Sequence, residues 1–504
     1  LSGGVTLADS NPLRPAQGSA SEVQATFTPE GTAASVTATG DAKLALTEFT
    51  KTGSPKDARG LSRQMQGARM VARFVPGPKR SSSRLAELQA TGGAQARGES
   101  FVSKTPGVKT LLVAGDDLLV RFRPGAAQRL EPESLTGAGH TLVQQDAPRG
   151  EQETSRGDAL EGAFQSEGAS VVLSSAVQTG HVVVHERAAA KAAVAGAAAK
   201  EPSEVNATAE KASYDGNSER LTLTGEVHLA GETEQVTAAQ VVLDRRSGEA
   251  EATGGVRGTL TSADAAADAP VTHVLSASAR FVQAGKVGRF SGTDAAPARV
   301  WQGASQVQAA VLVFDGERHT FSARPAAAGA EVHAVFAAAP RGKASADSAV
   351  VRVASPRMDY NDLLREGVFS GGVTIDGDGG ETEAQQATVF LSAAAAGKAH
   401  SAGGPNPVGG TLDRVVLTGD VQLAQPGRHG SGEQLVYTAP KGTETAGSYV
   451  LTGSAGHPPH VVDAQQGSVS GPTLLFRDAG STIVVAGEAA AGGRVHSEAP
   501  MRQK

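Results

Sequence analysis

No cysteine occurs in the 504 residues, which removes disulfide frameworks, thiolate metal sites and cysteine nucleophiles together. The compartment stays open, because an oxidising space permits disulfides without requiring them. Aromatic residues are nearly as scarce, at 4% with a single tryptophan, Trp301. Thick cores built around bulky rings are therefore not expected, and a thin core of Val, Leu and Ala with scattered Phe is. No run of 18 apolar residues is present, so no transmembrane helix is predicted. Neither a secretory signal nor an initiator Met opens the sequence. The formal net charge of -6 comes without a long basic block, so the electrostatic footprint of a nucleic-acid binder is missing. The densest basic cluster, Lys79 to Arg84, reads as a solvated loop.

The chemistry-bearing patterns are thin as well. GxSxG, P-loop and HExxH motifs do not occur. His181 and His185 lie in the β-branched run HVVVHE, where an even spacing puts them on one strand face about 13 Å apart, too far for one metal ion. The pair His457 and His460 in HPPH reads as an exposed loop. Asp376, Asp378 and Glu381 in IDGDGGETE imitate a calcium loop, but the third acidic position is Gly380 and the distal glutamate is misplaced. A hairpin turn after Ile375 is the better reading. The RGD tripeptide at Arg156 to Asp158 leads directly into a repeat strand. Catalysis is unsupported, and neither a metal nor a cofactor is expected.

What the chain does contain is repetition. A phrase of a small or apolar residue, Ser, Thr or Ala, then Gly, recurs at Leu1, Ala38, Ala90, Leu135, Gln178, Leu223, Ala252, Phe290, Phe321 (degenerate, FSARP), Phe369, Leu417, Leu451 and Val485. The mean interval is about 40 residues, within the range of repeat architectures. A second phrase ending in an aromatic residue or Leu precedes nearly every copy, as in GARMVARF at Phe74, GDDLLVRF at Phe122 and GEQLVY at Tyr437. Each unit is thus two strand-like phrases with a turn between them, in an array that is quasi-one-dimensional.

Around Leu223 the geometry is clearest. In RLTLTGEVHLAG, Leu221, Leu223, Val227 and Leu229 share one parity and Thr222, Thr224, Glu226 and His228 the other. That is the alternation of a strand with one dry and one wet face. This parity predicts that the glycine lies on the apolar face, where it marks a bend that lets one long strand serve two facing sheets. Helical signal is weak: the alanine-rich stretch 188–203 lacks an apolar stripe and reads as a linker or short exposed helix. The runs 262–270 and 399–410 read as loops or linkers. The predicted segments are 1–187, 204–340 and 345–499, the first more divergent than the others.

The phrases in Ala212 to Val256 and in Gly430 to Ala489 resemble the OstA-like repeat of the LptA–LptC family of periplasmic lipopolysaccharide-transport proteins. A small-polar strand ending in Tyr or Phe, a turn, an L-x-L-x-G-x-V strand and a strand ending near Leu-Asp recur there in the same order. The resemblance implies an all-β fold: an elongated array of antiparallel strands forming a V-shaped two-sheet β-jellyroll with an open apolar groove. It implies a bridge or scaffold that binds lipopolysaccharide through its lipid A acyl chains and passes it from inner to outer membrane, with no enzymatic step. It also implies partnership with other OstA-like domains by edge-strand pairing. Groove-lining positions expected on this basis are Leu223, Val227, Leu229, Phe369, Val373, Ile375, Leu417, Val421, Leu423, Leu451, Ile483 and Val485, with the filling of an ordinary core as the equal alternative for each. A ligand-free structural or adhesive β-repeat rod at the cell surface is the rival reading. Because Leu1 opens inside a copy of the phrase, the chain reads as a fragment or processed product, and any inner-membrane anchor is expected in the missing segment.

Overall fold

The computed structural model describes residues 1–9, 15–50, 59–77, 82–102, 109–125, 130–147, 150–167, 170–187, 204–231, 234–261, 271–282, 286–337, 350–377, 380–392, 406–440, 447–454, 456–465, 467–477, 482–486 and 496–498. Among them the chain forms 32 β-strands and no helix. The alanine-rich stretch 188–203 and the run 262–270 lie outside the described residues, as do 399–405 of the third predicted loop. Two compact units are formed, Leu1–Glu232 with Thr237–Gly248, and Thr233–Val236 with Glu249–Lys504.

The first unit is a meander. Its strands are β1 (Ser2–Asp9), β2 (Ala16–Phe27), β3 (Ala33–Thr50), β4 (Arg59–Pro76), β5 (Ser83–Val102), β6 (Lys109–Pro124), β7 (Leu130–Asp146), β8 (Gln152–Glu167), β9 (Ser170–Arg187), β10 (Glu204–Asp215) and β11 (Arg220–Ala230), with β12 (Glu234–Asp244) next in sequence. From β1 to β11 each pairs antiparallel with the next. Arg187 pairs with Glu204, so the ladder continues directly across the alanine-rich stretch. β5 runs for 20 residues, several times the usual five or six, and a strand of that length must bend to keep one face dry.

The repeated phrase supplies the bend. In eight copies the Gly and the residue after it both take positive φ: Gly3 and Gly4, Gly40 and Asp41, Gly92 and Gly93, Gly180 and His181, Gly225 and Glu226, Gly254 and Gly255, Gly371 and Gly372, Gly419 and Asp420; in the copy at Leu135 the left-handed pair is Gly139 and His140, two residues past the phrase's own Gly137. The ladder slips register at the same places, between Thr39 and Ala42, Thr91 and Ala94, and Ala138 and Thr141. Two left-handed residues on one strand oppose fewer on its neighbour, which is a bulge, and a bulge bends the strand and increases its twist. Gly92 is required twice over: its φ is +76°, and an added Cβ would lie 2.8 Å from the Ala68 Cβ on β4.

The predicted position of the glycine is corrected here. Parity placed it on the apolar face, whereas Gly40, Gly92, Gly254 and Gly371 are exposed at the outside of the bend; Gly137, in the copy at Leu135, is buried as parity expects. Across the left-handed pair Leu223 and Val227 both keep facing inward while Glu226 between them points to solvent.

The second unit carries β13 (Glu249–Leu260), β14 (Thr272–Val282), β15 (Val287–Ser291), β16 (Ala298–Gln302), β17 (Ser305–Ala309), β18 (Val311–Asp315), β19 (Thr320–Arg324), β20 (Val332–Ala337), β21 (Val350–Ser355) and β22 (Arg357–Asn361). It continues with β23 (Glu366–Gly377), β24 (Gly380–Ser392), β25 (Thr411–Gln425), β26 (Arg428–Thr438), β27 (Ser448–Thr452), β28 (His460–Asp463), β29 (Gly467–Ser470), β30 (Thr473–Arg477), β31 (Thr482–Ala486) and β32 (His496–Glu498). β14 hands its two halves to different partners, β15 and β16. One wall then runs β15, β18, β19, β22, and the other β16, β17, β20, β21. Both rejoin on β23, at either side of Gly371 and Gly372. At the copies of the phrase near Phe290, Phe321, Leu451 and Val485 the strand simply ends, so a chain break replaces the bulge as the corner.

The interior differs between the units. At the bend of the first, Ala42, Ala90, Ala94 and Leu118 are fully buried. In the second, rings fill the space: Phe281, Phe290, Phe314 and Phe321 form an edge-to-face series with centroids 5.5, 5.5 and 4.8 Å apart.

Gly92→Ala is expected to destabilise the first unit by about 1–3 kcal/mol, the cost of holding an L-residue left-handed against a side chain that cannot yield. Gly98→Ala, on the same strand with open space at its Cβ, is expected to be neutral or slightly stabilising. Denaturant midpoints of the two variants check this, and equal losses would contradict the bend assignment.

Candidate functional site

In the first unit the alternation on each side of the bend puts one apolar row inside. On β6 that row is Leu111, Val113, Leu118, Val120 and Phe122. Register aligns it with its neighbours: Val120 lies beside Leu88 of β5 and Leu135 of β7, and Leu118 beside Ala90. Met65, Met70 and Leu160 complete the buried cluster.

Burial is graded along each row. Leu118, next to the bend, is 0% exposed, and Val113 and Val120 are 7% and 8% exposed. Leu111 and Phe122, at the two ends, are only partly buried, as are Leu44, Val143 and Phe164 on adjoining strands. A closed sandwich buries the ends of its strands as well as their middles. The gradient fits arms that meet at the bend and diverge from it, with a dry floor at the bend and half-open side chains at the ends.

One stretch of this floor is polar. Gln178 of β9 occupies the place that Leu223 holds in β11, and it is 3% exposed. Its Nε2 donates to Thr141 Oγ1 at 2.9 Å and to the Thr141 carbonyl at 3.2 Å. Thr141 Oγ1 donates to the Gly157 carbonyl at 2.8 Å, and Ser155 Oγ donates to Gln178 Oε1. Each group has a partner, so the cluster pins β7, β8 and β9 together and interrupts the apolar row. In sequence its only sign is QTG where other copies read LTG or ATG.

The outer face is charged. Glu87 accepts from Arg73 at 3.0 Å and from Arg121 at 3.1 Å across three strands, and those guanidinium hydrogen bonds hold its carboxyl below the usual range. Asp146, at the end of β7, is lowered by hydrogen bonds led by the one from Gln152. At the bend, His140 contacts Asp116 at 3.1 Å and His181 contacts Asp158 at 2.9 Å. Asp158 closes the RGD tripeptide, whose Gly157 is buried in β8. Among the described residues no group of His, Asp and Glu is arranged to hold a metal ion. The calcium-like stretch is a hairpin in which Gly377 pairs with Gly380.

The twelve predicted lining residues do not share one environment. Leu223 and Val227 lie in the first unit at 0% exposure, with Leu229 half-buried. Phe369, Val373, Ile375, Leu417, Val421, Leu423 and Leu451 are buried in the second unit, while Ile483 and Val485 are half-buried. Phe369 meets Phe336 of the opposite wall at 6.1 Å between centroids. Between Ile375 and Thr382 on one side and Leu417, Leu435 and Tyr437 on the other, the crevice has only about 30 Å³ free, room for little more than a water. Leu44, Leu111, Phe122, Val143 and Phe164 are apolar side chains beside the buried cluster that stay partly accessible, and sequence reasoning did not name them as lining residues. For Leu111 and Phe122 the signal was the period-two run LLVAGDDLLVRF.

No family model matches the chain, and no curated protein does. Among solved structures the chain is similar to LptH, the LptA homologous periplasmic component of the conserved lipopolysaccharide transport device from Pseudomonas aeruginosa. That similarity has 17% identity, covers 25% of this chain and 85% of that one, and has a TM-score of 0.22.

Gln178→Ala is expected to destabilise the first unit by about 1–3 kcal/mol, because it strands the Ser155 hydroxyl and removes a donor to Thr141 in a dry site. Gln178→Leu with Ser155→Ala, which makes the stretch apolar, is expected to recover most of that loss in the same denaturation assay.

Proposed function

We propose that the first unit holds acyl chains along its graded apolar cleft, and that the chain acts as a bridge or scaffold for lipopolysaccharide in the periplasm, passing it from inner to outer membrane. The supporting observation is the gradient on β6, from a dry Leu118 to the half-open Leu111 and Phe122. Each methylene buried there contributes about 0.8 kcal/mol, so ten contribute about 8 kcal/mol before the cost of association. Because such contacts are non-directional and repeat strand after strand, a chain can advance without any one site holding it. The lipopolysaccharide assignment and the traffic between membranes rest on the OstA-like sequence phrases.

Other OstA-like domains are the proposed partners. Among the described residues β1 pairs with β2 and carries the exposed Leu7, an edge of the kind that suits strand addition. The rival reading, a ligand-free rod, draws support from the second unit, where Phe336 and Phe369 close the space between the walls.

A photoreactive phenylalanine analogue at Phe122, introduced in cells, is expected to crosslink an acylated glycolipid, whereas the same group at Arg121, on the outer face of the strand, is not. Equal labelling at both positions, or none at Phe122, favours the rod.

A further inference from the structure

The second unit carries its own occupant at the mouth between its walls. Residues 406–410, immediately before β25, form no strand. The Asn406 backbone N–H donates to Asp362 Oδ1 at 3.2 Å, at the turn that ends one wall. Its side-chain Nδ2 donates to Thr272 Oγ1 at 3.2 Å and to Gln302 Oε1 at 3.1 Å, at the outer end of the other wall, where β14 begins and β16 turns into β17. One residue thus spans both lips.

The segment folds into a tight turn. Asn406 Oδ1 accepts from the Val408 N–H at 3.3 Å, and the Asn406 carbonyl accepts from the Gly409 N–H at 3.3 Å. The two apolar residues held in that turn, Pro407 and Val408, are both buried, Val408 to 2% exposure. Sequence reading predicted a loop or linker here; residues 406–410 form a turn in which an amide sits at the rim and two hydrocarbon side chains are buried. That is the polar-above, apolar-below pattern of a lipid amphiphile in miniature.

We infer that residues 406–410 are an intramolecular plug that competes with an acyl-chain amphiphile for the mouth of the second unit. The inference rests on the acyl-chain reading of the first unit. What makes the plug displaceable is its attachment: it contributes no ladder hydrogen bonds, and it is held by three bonds from a single asparagine and by two side chains. The glycines Gly409 and Gly410 next to β25 give the hinge, with Gly410 at a φ of +130°. In the closed state the walls pack on the plug and on each other. An amphiphile that inserts its chain in place of Pro407 and Val408 releases the segment and opens the unit, so loading is coupled to ligand by differential affinity for the two states.

The absence of native cysteine permits a direct test. In a variant with Gln302→Cys and Asn406→Cys, oxidation tethers the plug and reduction frees it; in Val408→Asp the buried position no longer tolerates the segment and the plug is expelled. The probe is a fatty acid with a terminal diazirine, and the readout is labelled peptides mapped separately to each unit of the full chain. Tethering is expected to lower labelling of the second unit by at least about fivefold, with recovery on reduction. Val408→Asp is expected to raise that labelling above the unmodified protein, and labelling of the first unit is expected to stay constant throughout. Second-unit labelling that is the same in tethered, reduced and Val408→Asp forms, or absent from all of them while the first unit labels, overturns the plug and leaves the cleft reading standing. Labelling in neither unit overturns both.

Discussion

Two consecutive left-handed residues at the middle of alternate strands are the constraint on which everything else depends. A strand of 16 to 20 residues with one continuous apolar face would expose that face or aggregate through it. Reversing the chain's handedness for two residues lets both halves of the strand turn the same face inward, and it does so without a loop. Glycine at the first position avoids the Cβ penalty, and the second position falls to Asp, His, Glu or Gly on the solvent side of the bend. Because the ladder hydrogen bonds on each side stay in register, the bend of one strand stacks on the next, and the cleft follows from the repetition.

The two units use this corner to different ends. Where the inside is Ala, Met, Val and Leu, as in β3 to β8 of the first unit, the arms meet only near the bend and the ends of the rows stay half open. Where the corners become chain breaks, as after Phe290 and Phe321, two short strands can be placed independently, and rings and Met358 fill the space between the walls. The buried phenol of Tyr360 belongs to that packing: burial first, and the neighbouring Asp362 second, push its ionisation far up. It stays protonated and donates to Asp362, the same carboxylate that receives Asn406. The plug and the aromatic filling are thus one continuous closure.

Much of this architecture was legible in the chain, for reasons that differ by feature. The all-β array followed from period-two alternation and the recurring glycine, both of which are local. The inward face of the glycine was misread because parity assumes an unbroken strand, and a pair such as Gly225 and Glu226 reverses the chain without leaving a gap in the count. The accessible apolar positions were not legible in any one phrase, because openness depends on side-chain volume summed over facing rows. The Asn406 segment was beyond sequence reasoning altogether: its partners Thr272 and Gln302 lie 134 and 104 residues away, and nothing in GGPNPVGG marks Val408 as a core residue.

Whether the first unit accepts hydrocarbon is read by electron paramagnetic resonance of a fatty acid carrying a nitroxide near its terminal methyl, titrated with the protein. The expected result is a broad, immobilised component that saturates with protein and is lost in Phe122→Asp, a partly exposed position that folding should tolerate. A spectrum that keeps only the sharp lines of the freely tumbling probe at every protein concentration would contradict it.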